Sequence, residues 1–132
     1  MKYRLLDLLA CPICKQFPLE VLVFKEVLYE PPREAPARTC EEYCGWLRRR
    51  VSEGKGDCRE CFAREVEEGI LVCGRCGRWY PIIEEIPHML PDELREREED
   101  LAFLKKWEDK VPERVLREGL PFNLSQPAQS AG

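Results

Sequence analysis

Histidine is almost missing from these 132 residues; His88 is the only one. Catalytic zinc sites keep an open position and usually draw on histidine or carboxylate ligands, so that chemistry is disfavoured. His88 itself lies in EEIPHMLP and reads as an exposed loop residue rather than a ligand. Asparagine and glutamine number four (Gln16, Asn123, Gln126, Gln129) while 35% of the chain is charged, a bias that resembles thermophile composition. No apolar run reaches the roughly eighteen residues of a membrane span. Cationic excess is also lacking. The formal charge is −4, which argues against a strongly basic nucleic-acid binder. Lys2 and Arg4 precede a short apolar run that Asp7 breaks, and CPIC follows instead of a small-residue cleavage site. No secretory signal is expected, and the expected location is cytoplasmic. The length suits one or two small domains.

What the chain does have is cysteine. Eight residues form four close pairs: Cys11/Cys14, Cys40/Cys44, Cys58/Cys61 and Cys73/Cys76. Two thiolates separated by a two-residue turn can face one tetrahedral ion, and two such turns complete a four-sulfur site. Eight cysteines suit two zinc ions by count. Spacing leaves two pairings open. In the nested one, the outer pairs form the two knuckles of a zinc ribbon and the inner pairs their own site. In the sequential one, Cys11/Cys14 joins Cys40/Cys44, and Cys58/Cys61 joins Cys73/Cys76, with 11 residues between Cys61 and Cys73. For the inner four, zinc, disulfides and free thiols all remain open, since thermophile cytosols can keep disulfides. A thioredoxin-like redox pair is a further alternative for a CxxC. That motif opens a helix after a strand, which is not where the outer pairs lie.

Around the cysteines, KYRLLDLLA (2–10) places leucines at helical spacing, and Pro12 stops that helix. PLEVLVFKEVLYE (18–30) has strand character. PPREAPAR (31–38) reads as a linker. Thr39/Glu42 and Asp57/Glu60 fit capping boxes for helices over 40–52 and 58–68, with Gly69 as C-terminal cap and GKGD (54–57) as the turn. ILVCGRCGRWYPII (70–83) returns to strand, and Gly74 and Gly77 permit the positive backbone angles of a metal knuckle. Helices are expected over 92–109 and near 112–118, then a closing strand at GLPFNL and a disordered tail over 125–132. Residues 92–118 hold 7 basic and 10 acidic side chains, most of the net charge, on what reads as a solvated face. The basic run Arg48–Arg49–Arg50, near Trp46, reads the same way, with contact to RNA backbone as the sharper alternative.

Two blocks carry a resemblance. Residues 5–14 follow LLDxLxCPxC through Leu5, Leu6, Asp7, Leu9, Cys11, Pro12 and Cys14. Residues 71–90 follow LxCxxCxxxYPIxxxIPxML through Leu71, Cys73, Cys76, Tyr80, Pro81, Ile82, Ile86, Pro87, Met89 and Leu90. Together they resemble the multifunctional methyltransferase subunit family, the small zinc-ribbon activators of methyltransferases. The resemblance implies the nested pairing, with Cys11, Cys14, Cys73 and Cys76 on a first zinc and a variable insert between the knuckles. Cys40, Cys44, Cys58 and Cys61 are left for a second zinc or for disulfides. It also implies a chain without catalysis of its own. The expected partner, in a heterodimer, is an S-adenosylmethionine-dependent methyltransferase that modifies tRNA, ribosomal RNA or release factor. Nucleic acid is then met only through that partner.

The expected class is α+β: a zinc-ribbon β domain over 1–30 and 70–91 with an N-terminal helix, an inserted helical hairpin over 31–69, and a C-terminal helical extension over 92–124. More apolar residues flank the knuckles than a small core needs, and Leu5, Leu9, Tyr80, Ile82, Ile86, Met89 and Leu90 are the candidates for a partner surface. The strand near 80–86 is the candidate for adding to a partner sheet edge. Two other functions stay open: a free-standing RNA-binding ribbon and a thiol oxidoreductase.

Overall fold

The computed structural model describes residues 1–34, 36, 39–54 and 56–125. Parts of the expected linker and turn (Ala35, Ala37, Arg38, Lys55) and nearly all of the expected tail (126–132) lie outside the described residues. The class is α+β. A 3-10 helix at Tyr3–Asp7 leads to strand β1 (Glu20–Leu28). The short hairpin β2 (Tyr43–Cys44) and β3 (Arg49–Arg50) and helix α1 (Cys58–Phe62) follow. Then come β4 (Arg64–Val72), β5 (Trp79–Ile83), β6 (Ile86–Pro87), α2 (Arg97–Lys106) and α3 (Glu113–Glu118).

The main sheet is antiparallel in the order β1-β4-β5-β6. Alternation along its central strands sends side chains to two different cores. Leu71, Tyr80 and Ile82 face the N-terminal side, where Leu6, Leu19, Val21, Val66 and the sulfurs of Cys11 and Cys73 are buried with them. Ile70, Val72 and Trp79 face the other side, which α2 and α3 cover with Phe103, Leu104, Val115 and Leu116. Trp79 and Tyr80 are adjacent and both fully buried because each faces one of these cores. Trp79 stacks on Phe103 at 5.9 Å and donates its indole N–H to the Phe122 carbonyl at 2.9 Å. β1 slips register around Val23–Glu26, and there the Leu22 carbonyl comes so close to Gly69 that a Cβ would lie 2.4 Å from it.

Four expectations about local structure are corrected. The helix over 40–52 is instead the β2–β3 hairpin with a 3-10 turn at Val51–Glu53. The helix over 58–68 ends at Phe62, although Asp57 does cap it by accepting from the Arg59 and Glu60 amides. Residues 64–69 join β4 because β1 offers them a ladder of partners, so Gly69 serves a close strand approach and not a helix cap. GLPFNL contributes one parallel bridge, Leu120 to Arg78, rather than a strand.

Candidate metal centre and partner surface

Both outer cysteine pairs lie on the same backbone turn. In the first, the Cys11 amide donates to the Gln16 carbonyl and the Lys15 amide to the Cys11 carbonyl, both at 2.9 Å. In the second, the Cys73 amide donates to Arg78 at 2.8 Å and the Gly77 amide to Cys73 at 3.0 Å. Each turn folds back so that its two sulfurs point the same way. The two turns meet with Cys14 Sγ 3.4 Å from Cys73 Sγ and Cys11 Sγ 3.7 Å from Cys76 Sγ. A tetrahedron with metal–sulfur bonds of about 2.3 Å has edges of about 3.8 Å, so this donor set fits a zinc-class ion. Among the described residues these four form one group whose ligand atoms all lie within 4.8 Å of one another, and His88 is not part of it.

The surroundings bias the sulfurs unequally. Burial opposes ionisation of Cys11, but the Cys14 amide, the Tyr80 hydroxyl, the Ile13 amide and the Cys76 thiol outweigh it and hold Cys11 down to about 6. Burial is the largest influence on Cys73, which is pushed up to about 12 with the Cys14 and Cys76 thiols adding to the effect. Tyr80 Oη lies 3.3 Å from Cys11 Sγ. Burial and that contact raise the phenol, so it remains a donor to the sulfur. Arg78, two residues past Cys76, binds Asp92 through two bonds of 2.9 and 2.7 Å and ties the second knuckle to the C-terminal extension.

All eight cysteines are free thiols, so the disulfide reading of the inner four finds no bond in this structure. Cys40, Cys44 and Cys61 are buried, Cys58 is half-buried, and all four line one small cavity. Their sulfurs are more widely spaced than the outer set. Burial raises Cys40, and raises Cys61 to about 12, with the neighbouring thiols adding to both shifts. The insert is anchored by Asp7, whose carboxylate accepts the amides of Glu41, Glu42 and Tyr43 at 3.0, 2.8 and 2.8 Å.

A profile of the family described as Trm112p-like protein matches residues 2–85, well over half of the chain. The chain belongs to the Trm112p-like family. Over 29 residues it is also 59% identical to the multifunctional methyltransferase subunit trm112 of Schizosaccharomyces pombe. That stretch is 22% of this chain and 23% of the fission-yeast protein. The family match includes both knuckles and the strands β1, β4 and β5, and stops before α2 and α3.

The candidate partner residues divide. Tyr80 and Ile82 are fully buried, and β5 lies between β4 and β6, so these two are corrected to core. Leu5, Leu9 and Met89 pack partly against that core. Ile86 (59% exposed) and Leu90 (39%) reach solvent, joined by Leu94 (60%), Leu8 (59%) and Ile13 (40%). Leu90 and Leu94 border a groove of about 130 Å³ with a mixed lining, apolar from Pro81, Ile83 and Phe103 and charged from Arg95, Glu96, Glu99 and Asp100. Arg48–Arg50 are exposed, yet Arg49 bonds the Gly54 carbonyl at 3.1 Å and Arg50 lies over the Phe17 ring at 5.9 Å. Arg95 escaped sequence reading: in a run of charges it looks solvated, but it is buried over Trp79 and paired with Asp100. Within the charged run 92–100, an Arg followed five residues later by Asp carries too weak a pattern to have found it.

Proposed function

We propose that the chain is a non-catalytic, zinc-stabilised activator subunit of S-adenosylmethionine-dependent methyltransferases that modify tRNA, ribosomal RNA or release factor. Family membership supports the class of partner, and the name of the fission-yeast relative points the same way. The observation that carries the reading is a set of large apolar side chains left exposed: Ile86 on the last strand of the main sheet, and Leu90 and Leu94 after it beside a groove. Exposed large apolar side chains clustered in one stretch of chain mark a protein interface.

Zinc is the ion of choice because four thiolates make a closed site that holds structure and leaves no position for a reacting water. Cys11, Cys14, Cys73 and Cys76 hold it, and the Tyr80 hydroxyl orients the Cys11 sulfur by hydrogen bonding to it. With the two knuckles locked, β6 presents Ile86, and the segment that follows it presents Leu90 and Leu94. Covering an exposed apolar face of the catalytic subunit stabilises its folded form by mass action. The substrate nucleic acid or release factor is then engaged by the partner, in the cytoplasm. Arg49 is bonded to the Gly54 carbonyl and Arg50 lies over the Phe17 ring, so a free-standing RNA-binding role has no specific support.

The test is co-expression with each candidate methyltransferase from the source genome, reading soluble yield and methyl transfer. The expected result is a catalytic subunit that is soluble and active only with this chain. In parallel, Ile86→Asp is checked for fold and metal content, then used in capture. A folded, metal-loaded Ile86→Asp chain that binds as well as wild type removes the proposed face. Failure of every methyltransferase to respond removes the activator reading.

A further inference from the structure

The inserted segment 39–62 has almost no apolar core of its own. Among its described residues the buried side chains are Cys40, Cys44 and Cys61, and the remaining buried position is Gly45. Trp46 and Phe62 are only half-buried. Segments this short are usually held by a metal or by disulfides when apolar burial is insufficient. Here the cysteines are free, and all four converge on one cavity of about 10 Å³ closed by Trp46, Gly56 and Phe62.

We propose that Cys40, Cys44, Cys58 and Cys61 form a second, structural tetrathiolate site for a zinc-class ion, which staples the insert to the sheet domain. The site is independent of the methyltransferase reading. Its donors come from two local units, as a closed four-sulfur site requires. Cys44 lies on β2, and Cys40 precedes that strand in the loop that Asp7 grips through three amides. Cys58 and Cys61 lie on one face of α1, with Asp57 capping the turn that carries them. Among the described residues no other ionisable or metal-ligating side chain lines the cavity, so the donor set there is thiol only. The sulfurs are more widely spaced than in the outer site. Staggered side-chain rotamers allow them to be re-aimed into the cavity that they already line. Each sulfur–metal bond forms as that thiol's proton leaves for solvent, so no oxidant or reductant is needed.

Two disulfides are the main competitor. Two disulfides would consume all four sulfurs in pairs, with Cβ atoms about 3.5–4.5 Å apart in each pair. Four thiols lining one small cavity suit a single shared ion.

Metal stoichiometry of the full chain decides the matter. Wild type, purified under reducing conditions with zinc, is expected to carry two zinc ions by native mass spectrometry. Cobalt titration of the stripped chain is expected to gain thiolate-to-cobalt absorption up to two equivalents. Cys58→Ser/Cys61→Ser is expected to carry one ion. Should that variant fail to fold, the two wild-type measurements stand without it. One ion per wild-type chain overturns the proposal, whether the inner cysteines are recovered as free thiols or as disulfides by peptide mapping.

Discussion

Lys15 and Gly77 occupy the same place in the two knuckles: each amide donates to the carbonyl of the first cysteine of its pair, and each backbone is left-handed, at φ 67° and 80°. A side chain in that conformation costs about 1–2 kcal/mol, from which glycine is exempt. A Cβ on Gly77 would meet nothing within 4 Å, so any penalty there is purely backbone. Gly77→Ala is expected to lower unfolding free energy by about 1 kcal/mol. Lys15→Gly relieves the angle but loosens the unfolded chain, so it should stay within about 0.5 kcal/mol of wild type. Urea unfolding at fixed zinc measures both. Equal losses at the two positions would contradict the equivalence.

The Tyr80 hydroxyl lies against a sulfur of the outer site, 3.3 Å from Cys11. Its ring is fully buried, so Tyr80→Phe keeps the packing and removes only the donor. Partners of metal ligands typically contribute about 10–100-fold in metal affinity. Tyr80→Phe is therefore expected to release zinc to a chromophoric chelator at least several-fold more readily, with unchanged far-ultraviolet circular dichroism. Unchanged metal affinity would show that the hydroxyl only fills space.

Chelation should affect the two cores unequally. Cys11 and Cys73 are buried in the core on the N-terminal face, whereas the core under α2 and α3 is built on Trp79, Phe103 and Leu104. Metal removal is expected to lower Tm by at least about 10 °C, since a structural site is worth several kcal/mol of folding energy. Hydrogen exchange at the Lys15 and Gly77 amides should accelerate while the Leu104 amide stays protected. Uniform exchange across both faces would mean that the sheet collapses as one unit.

What could be read from the chain was whatever its local pattern determines. The cysteine spacing and the LLD…CPIC and YPI…IPHML blocks are local, and the Asp57 cap on Cys58–Phe62 is local too. The helix expected over 40–52 failed because the groups that shape that segment are distant. Asp7 takes the amides of Glu41, Glu42 and Tyr43 from more than 30 residues away, and Leu6 closes on Gly45. Residues 64–69 fit a helix end by themselves, and only β1 makes them a strand. Tyr80 and Ile82 carried no signal separating core from interface, because an apolar residue looks the same in either place. The burial of Arg95 depends on Trp79 and Asp100 arriving together.

Arg95 is held at 2.9 Å from Asp100 and 2.7 Å from the Trp79 carbonyl, with its guanidinium 4.8 Å from the Trp79 ring centre. Removing one partner strands the other, and breaking a buried pair in this way typically costs about 3–5 kcal/mol. Arg95→Ala is expected to destabilise by that order, because the Asp100 carboxylate remains beneath the helix. Arg95→Met with Asp100→Leu removes both charges and should recover at least half of the loss. Urea melts of the three chains provide the comparison. A double variant no better than Arg95→Ala would place the stabilisation in the Trp79 carbonyl bond instead.

Gly45 is where the insert rests on the N-terminal 3-10 helix. A Cβ there would lie 2.5 Å from Leu6 Cδ1, 2.6 Å from the Tyr3 carbonyl and 2.7 Å from Leu6 Cβ. The Tyr3 carbonyl is backbone and Leu6 is fully buried, so neither can yield by a simple rotation. Gly45→Ala must therefore push the β2–β3 hairpin outward, at an overpacking cost of about 1–3 kcal/mol. Gly74→Ala is the matched control, since nothing lies within 4 Å of its Cβ position. The control should stay within about 0.5 kcal/mol of wild type, as surface substitutions usually do. Because Asp7 grips the strand just before Gly45, displacing the hairpin should also expose the Glu42 and Tyr43 amides to exchange. A stable Gly45→Ala chain with those amides still protected would mean that the hairpin is not seated on Leu6.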